Sequence, residues 1–485
     1  MRQGRTPNHR EQKVDQRGFR RRRSLDTLVI GAGISGLAYA HGRGADARLL
    51  VVEASDSAGG WVHTERGVWD DERSELRYER GPEALQAASP EALALFSGLA
   101  LELVPAPRSA RKRFLLHRGA LVALPRSPLS CLSTPLLSWG GKLRLLGEFR
   151  RDPRIALGGS LAEFVRHRLG PETVETLLDP FVSGVWAGDP EQLSLRATFP
   201  DLARMVEEQG SLTRALLRRK RGGAAPAAPG LCKPRGGMGS LTRALAESLG
   251  PRLRLSTPVE SLRREGARFH AIAGAESFDC ARVVVATSAR AAAELLAEAS
   301  PEASRELATL RCESLAGVIH AWPRERVAHP LDGFGYLVPS REQRLHLGTL
   351  FSSSIDPDCA PRGTVLLRTL LGGARHPEVV EMSDRELLAV VEREVGPLLG
   401  LRGEPPWTRV LRYRSVLPRY DLAHPARLET VDRALMRSPG LHLLGNYRRG
   451  IGVPALIEAG SALAREHARG EAQPPGPEGG LDPAG

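Results

Sequence analysis

Near the start of the chain a β-branched run, Thr27-Leu28-Val29-Ile30, stops at a glycine and passes into a helix-forming stretch, Ile34-Ser35-Gly36-Leu37-Ala38. Gly31, Gly33 and Gly36 stand at G-x-G-x-x-G spacing across that junction. In this pattern the first glycine permits a tight turn, the second lets a pyrophosphate approach the backbone, and the third lets helix and strand pack closely. The helix start, from Ile34 and Ser35, then turns free N–H groups and the positive end of its dipole toward an anion.

Arg48-Leu49-Leu50-Val51-Val52-Glu53 reads as the next strand and ends in an acid. A carboxylate about 20 residues past the first glycine receives the ribose hydroxyls of an adenine dinucleotide and repels the extra phosphate of NADP. A lone glycine triplet is equally an ordinary turn; two flanking strands and Glu53 together predict dinucleotide binding. Ala54 follows, and then a second glycine pair, Gly59-Gly60-Trp61. A pair at this place resembles flavoproteins that bury FAD rather than NAD dehydrogenases, although Ser57 stands where those families place an arginine.

With 485 residues, 41% apolar and 26% charged, the chain has the composition of a globular protein and the length for two or more domains. No apolar run approaches the ~18 residues of a spanning helix, and the basic N-terminus lacks an apolar segment of the secretory kind, so a cytoplasmic protein is expected. Five scattered cysteines without C-x-x-C, and thirteen histidines without H-E-x-x-H, predict neither disulfides nor a metal site. Residues 1–23 hold nine Arg/Lys against two Asp/Glu, more than half of the net +12. This segment reads as a disordered basic tail, with Arg20-Arg21-Arg22-Arg23 as a candidate for anionic lipid. The interleaved aromatics that stack on bases are nearly absent there, so no nucleic-acid partner is expected.

Further along, Tyr78-Glu79-Arg80-Gly81-Pro82 reads as a strand ending in a turn, and residues 111–125 as a hairpin around His117-Arg118-Gly119. Residues 126–220 become helical, with a capping box from Ser160 to Glu163. Within them Leu129–Phe149 mixes apolar residues with Lys142, Arg144 and Arg150; it suits either a packed helical subdomain or peripheral contact with a membrane. Residues 221–230 read as a mobile linker. Arg282–Thr287 is a buried strand followed by an alanine-rich helix; residues 300–418 read as several short strands and a helix near Asp384–Val395. At the end, Leu441-His442-Leu443-Leu444 leads through a glycine-rich loop, Gly445 to Gly452, into a helix from Pro454.

Together these stretches resemble the oxygen-dependent protoporphyrinogen oxidases, from about Leu28 to Ala464. The Gly31–Trp61 block carries the likeness, as do Glu79-x-Gly81-Pro82, Ser183-Gly184-Val185-Trp186-Ala187-Gly188-Asp189-Pro190, Ala197-Thr198-Phe199-Pro200-x-Leu202, Leu331–Pro339, Leu371–Arg375 and Gly445-Asn446-Tyr447. The resemblance implies an α/β fold: a Rossmann-type FAD-binding domain (24–107, 231–299 and 419–468), an α+β substrate domain (108–125 and 300–418), a helical subdomain (126–230), and disordered tails at 1–23 and 469–485. It implies FAD as cofactor, held by Gly31, Gly33, Ile34, Ser35, Gly36, Glu53, Ala54, Gly59, Gly60, Trp61, Gly81, Pro82 and Val259. Gly445, Asn446, Gly450, Ile451, Gly452 and Val453 complete that set from the C-terminal segment.

The implied chemistry is a six-electron oxidation of protoporphyrinogen IX to the porphyrin, with dioxygen as acceptor and hydrogen peroxide as product. No protein nucleophile or acid–base set is needed, because the cofactor carries the redox work. Arg113 matches a family arginine that meets a propionate; Phe114, Phe334, Gly335, Leu337 and Leu370 match positions around the tetrapyrrole. Relatives are often homodimers. Three positions depart from the family: Glu83, an acid that would repel a propionate if it faced the cavity, Tyr413 in place of a tryptophan, and Pro454 in place of a polar residue. The alternatives are coproporphyrinogen III as substrate, an amine oxidase or carotenoid desaturase, and a FAD- or porphyrin-holding protein without turnover.

Overall fold

The computed structural model describes residues 21–69, 74–85, 89–126, 128–152, 155–221 and 230–472. Two seven-stranded sheets dominate it. In the first, Arg21–Ile30 lies between Glu276–Val285 and Leu49–Val52 and runs parallel to both. Leu441–Leu443 adds in parallel to the end of Glu276–Val285, and Leu253–Arg254 to the far edge. Toward their carboxyl ends the central strands are buried because apolar residues point both ways: Val29, Val51 and Val284 pack toward the helices Ile34–Gly42, Gly239–Leu249 and Val453–Ala472. Leu28, Leu50 and Val283 pack toward Ala289–Ala299, Pro301–Ala308 and His424–Met436. Each such side chain contributes about 1.5–3 kcal/mol on leaving water. Arg268–Ala273 and Ser261–Glu265 extend the other edge antiparallel; the parallel part of this doubly covered sheet opens its crevice at the carboxyl ends of its strands, beside Gly31 and Glu53.

The second sheet runs Trp407–Pro418, Cys312–Pro323, Thr364–Gly372, His346–Leu350, Gly335–Leu337, Phe114–His117 and Ala120–Ala123. It is antiparallel except where Gly335–Leu337 meets Phe114–His117. Its two longest strands, each 12 residues, exceed the short strands expected from sequence. Both faces of Cys312–Pro323 are buried, so its apolar run lacks the alternation that marks a half-exposed strand. The back face packs on the helix Asp384–Val390 and the wider turn to Val395; the front faces the first domain.

The helices between Leu161 and Arg221 form a third cluster around Phe164, Trp186 and Tyr420. The expected capping box is present, Ser160 and Glu163 each binding the other's backbone N–H. Arg168, fully buried, pairs with Glu148 at 2.6 Å, and Glu148 also accepts from Ser211 Oγ and from the N–H groups of Leu212 and Thr213 that begin the next helix.

Two expected boundaries move. Arg21, Arg22 and Arg23 belong to the first strand rather than to a tail; Arg22 pairs with Asp279, and Arg23 lies 3.7 Å from Glu276. Those two arginines are therefore neutralised at the sheet end, and the rest of the tail, 1–20, lies outside the described residues. The closing helix extends to Ala472, four residues into the expected C-terminal tail, and the linker expected at 221–230 falls mostly outside the described residues. Among the described residues no helix is long and apolar enough to cross a membrane.

Candidate active site

The first strand delivers the chain to Gly31, where φ is +104° and a Cβ would lie 2.6 Å from the Ala286 carbonyl oxygen. Gly36 is as constrained, its Cβ position 2.2 Å from the Gly31 oxygen. Gly33 differs: a Cβ there would meet only the Ala286 oxygen, at 4.0 Å, so bare backbone faces open space. No side chain caps the helix that starts at Ile34 and Ser35, which leaves its first N–H groups to an anion. The second glycine pair folds against this turn, Gly59 N–H donating to the Ala32 oxygen at 2.7 Å while exposed Gly60 sits beside Gly33.

Glu53 ends the second strand with its carboxylate held from two sides, by the Ala32 N–H at 2.7 Å and by Ser55 N–H and Oγ at 3.0 and 2.6 Å. Beside it opens a cavity of about 220 Å³, lined by Gly31, Glu53, Ala54, Val259 and Thr287 among others. Four residues assigned to cofactor binding thus meet at one cavity. A carboxylate at one end, with bare glycine backbone and an uncapped helix start at the other, fits an adenosine joined to a pyrophosphate. The closing helix crosses the first helix at Gly460, where a Cβ would lie 2.4 Å from the Ser35 oxygen. This close approach went unread in the sequence.

The C-terminal loop is tied to its neighbours. Asn446 Nδ2 donates to the Val416 oxygen and Gly450 N–H to Tyr420 Oη, each at 2.9 Å. Ile451 packs with the helical cluster and Val453 with the core of the first domain, so these two side chains serve packing. Gly445, at φ +154°, and exposed Gly452 leave only backbone for a ligand. Gly81 touches the backbone of Trp61, where a Cβ would lie 2.0 Å from the Trp61 oxygen, and Pro82 follows half-buried.

Across from this turn lies the front of the antiparallel sheet. Register places Leu337, Gly348, Leu370 and Gly317 in one row on that face. Gly348 lies between the two leucines and Gly317 beyond Leu370, beneath the Tyr413 ring, in this apolar floor; Leu337 reaches up to Gly184 of the helix Asp179–Trp186, whose Cβ position would be 2.2 Å away. Gly348 and Gly317 were missed from the sequence; an isolated glycine inside an apolar strand was the available signal. At one end of the hairpin Arg113 stands over the Phe334 ring at 5.2 Å, half-buried, its pKa drawn down by burial and then by Arg126.

Two expected substrate residues are placed elsewhere. Phe114 is registered with Tyr336 and so lies on the back face, its ring against Gly333 and T-shaped to His329 at 5.5 Å. Gly335 is buried at φ +143°, and a Cβ would sit 2.2 Å from the Thr349 oxygen; it allows two strands to meet rather than opening a surface. The three candidate metal donors that do converge, Glu265, His270 and Asp279, lie at the first sheet's edge, with Asp279 already paired to Arg22.

Comparison with known proteins settles the family. The flavin-containing amine oxidoreductase family matches residues 34–466, most of the chain. The chain belongs to that family. A protoporphyrinogen oxidase of Nicotiana tabacum chloroplasts is 32% identical, covering 91% of this chain and 85% of its own length. A coproporphyrinogen III oxidase of Propionibacterium freudenreichii subsp. freudenreichii is also 32% identical, covering 89% and 88%. In fold, a crystal structure from Exiguobacterium sp. 255-15 superposes with a TM-score of 0.77 at 24% identity, over 93% of this chain and 99% of that one. The protein is a flavin-dependent oxidoreductase whose cofactor is FAD, and the chemistry of the glycine cradle with Glu53 fits that cofactor.

In this flavoprotein the acid after the Glu-x-Gly-Pro turn does not face the floor. Glu83 is 8% exposed, and its carboxylate turns toward Arg368 at 3.6 Å and Lys233 at 3.7 Å. Lys233 also meets Glu79 at 2.8 Å and Asp356 at 3.4 Å. Burial alone would lower the Lys233 pKa, yet Glu83, Glu79 and Asp356 together raise it above the ordinary value. The expected repulsion of an anionic substrate by Glu83 therefore has no geometric basis.

Proposed function

We propose that this flavoprotein oxidises protoporphyrinogen IX to protoporphyrin IX in haem biosynthesis. Six electrons and six protons leave one substrate and reduce three molecules of dioxygen to hydrogen peroxide. FAD, when bound, supplies the hydride acceptor. What the chain contributes is orientation: a flat apolar floor, Leu337–Gly348–Leu370–Gly317, opposite the Gly81–Trp61 turn, with Arg113 as a cation at its rim. The floor is the observation that carries this reading, because a broad puckered macrocycle needs an apolar surface, here Leu337 and Leu370, and one planar donor group for a carboxylate. The names of two relatives, one acting on each porphyrinogen, support the substrate class. Protoporphyrinogen is favoured over the four-carboxylate alternative because two of the neighbouring cations already hold acids, Lys112 with Asp332 and Arg375 with Asp179.

Purified holoprotein incubated separately with the two porphyrinogens, read by porphyrin fluorescence and peroxide release, tests this. Faster product from protoporphyrinogen is expected. A clear preference for coproporphyrinogen III would replace the substrate, and flavin that neither porphyrinogen reduces without oxygen would remove the activity altogether.

We further propose peripheral contact with an anionic membrane through the helix Trp139–Leu146 and its flank. Trp139, Leu143 and Leu146 are 69%, 67% and 66% exposed, Lys142 lies 4.5 Å from the Trp139 ring centre, and Arg150 lies 5.3 Å from that of Phe149. Apolar tips beside cations suit a headgroup boundary. Co-sedimentation with phosphatidylglycerol vesicles, lost in Trp139→Ser/Leu143→Ser, is expected; equal sedimentation of that variant would sink the idea.

A further inference from the structure

Both carbonyl oxygens of the Arg80-Gly81 turn are bound by side chains of the antiparallel sheet. Arg368, 6% exposed, donates through Nη1 to the Gly81 oxygen and through Nη2 to Tyr413 Oη at 2.9 Å and the Arg80 oxygen at 3.4 Å. Tyr413 Oη in turn donates to the Arg80 oxygen at 2.6 Å, and its ring lies 5.3 Å from Trp61. Arg368 shares strand and face with Leu370, two residues on, and Tyr413 lies over Gly317, whose Cβ position would be 3.0 Å from the Tyr413 ring. One guanidinium and one phenol therefore join the turn of the flavin-binding domain to the middle of the floor.

The charges behind this joint are balanced. Arg368, Lys233 and Arg77 face Glu83, Glu79 and Asp356, the last held by Arg77 at 3.0 Å. Glu79 also accepts from Thr64 Oγ1 at 2.8 Å and Met238 N–H at 3.0 Å, which fastens the strand that carries the turn. A buried guanidinium with fixed acceptors has little freedom to shift, so the spacing it sets is narrow.

We propose that Arg368, with Tyr413, is a positioning residue that fixes the distance and tilt between the flavin-facing turn and the substrate floor. This rests on the flavin-and-floor reading above. Hydride transfer is steep in distance, and a displacement of about 1 Å costs up to about a hundredfold in rate. Neither residue needs to touch the substrate for that effect. Loss of the cation also disfavours negative charge on a neighbouring reduced cofactor.

The test uses the FAD-loaded variants Arg368→Met and Tyr413→Phe. Both are expected to retain flavin, to shift its visible absorption, and to reduce the single-turnover rate of flavin reduction by porphyrinogen about tenfold or more, with KM little changed. Arg368→Met is also expected to move the flavin midpoint potential to more negative values. If both variants keep spectrum, potential and reduction rate and differ only in melting temperature, the residues are merely structural and the proposal fails. Should Arg368→Met not fold, Tyr413→Phe decides on the spectrum and the rate. If no porphyrinogen reduces the unaltered protein while the variants still shift spectrum and potential, the substrate reading falls and the positioning role stands.

Discussion

The parallel sheet carries its chemistry where the chain turns, at Gly31, Glu53 and the loop holding Val259. The antiparallel sheet carries it on a face, through Leu337, Gly348, Leu370 and Gly317 from four different strands. The two ligands proposed above would account for the difference. A phosphate chain is recognised by backbone N–H groups, which concentrate at a single helix start. A broad ring needs area, and area is assembled from residues far apart in sequence. The second sheet is also two-sided. Behind its apolar front runs a buried polar chain, from Trp322 through His320, Thr369, Thr349, Tyr336 and His346 to Glu394, each link between 2.8 and 3.1 Å.

Substitutions confined to one sheet should leave the other's function standing. The largest effect is expected at the turn: Gly36→Leu drives a side chain into the Gly31 carbonyl, costing about 3 kcal/mol and leaving protein that purifies without flavin absorbance. Retained stoichiometric flavin would break the contrast. Next, Leu370→Ala should keep the yellow cofactor and its spectrum but lower kcat/KM for porphyrinogen by roughly tenfold, the effect of losing about 1–3 kcal/mol of apolar contact. Unchanged kinetics would mean that this face is not the floor.

The back face is read by pH. His320 is fully buried, and burial holds its pKa at about 3. A histidine whose pKa is depressed by folding stabilises fully above its unfolded value of about 6.5, and that stability is lost as pH falls toward the folded value, at about 1.4 kcal/mol per unit. Urea midpoints should therefore fall between pH 7 and 5, by about 2 kcal/mol from this residue, and less steeply in His320→Gln; equal slopes would show that His320 is not the titrating group. The smallest effect lies outside both sheets. Ser160→Ala removes a helix cap worth about 1 kcal/mol and should lower the melting temperature while flavin spectrum and KM hold.

How much of this was legible depended on distance along the chain. The dinucleotide cradle was read almost whole, since Gly31, Gly33, Gly36 and Glu53 lie within one βαβ unit and each has its own steric reason. Val259 was reached through family likeness alone, the C-terminal loop through its glycines between a strand and a helix, and the loop's side chains turned out to serve packing as well. In the substrate domain register places Leu337 and Leu370 on the front face and Phe114 on the back, a division the sequence could not give because strand parity cannot be known before register is set.

By itself the sequence determined that a short glycine-bounded strand, its helix and a following acid would make a nucleotide cradle, since local sterics and backbone N–H groups suffice for that. Only the tertiary structure decided the floor, the polar chain behind it and the harmless placement of Glu83. Those depend on which strands neighbour one another and which buried charges meet: Lys233 and Arg368 neutralise Glu83 from positions more than a hundred residues away, a relation that no local pattern encodes.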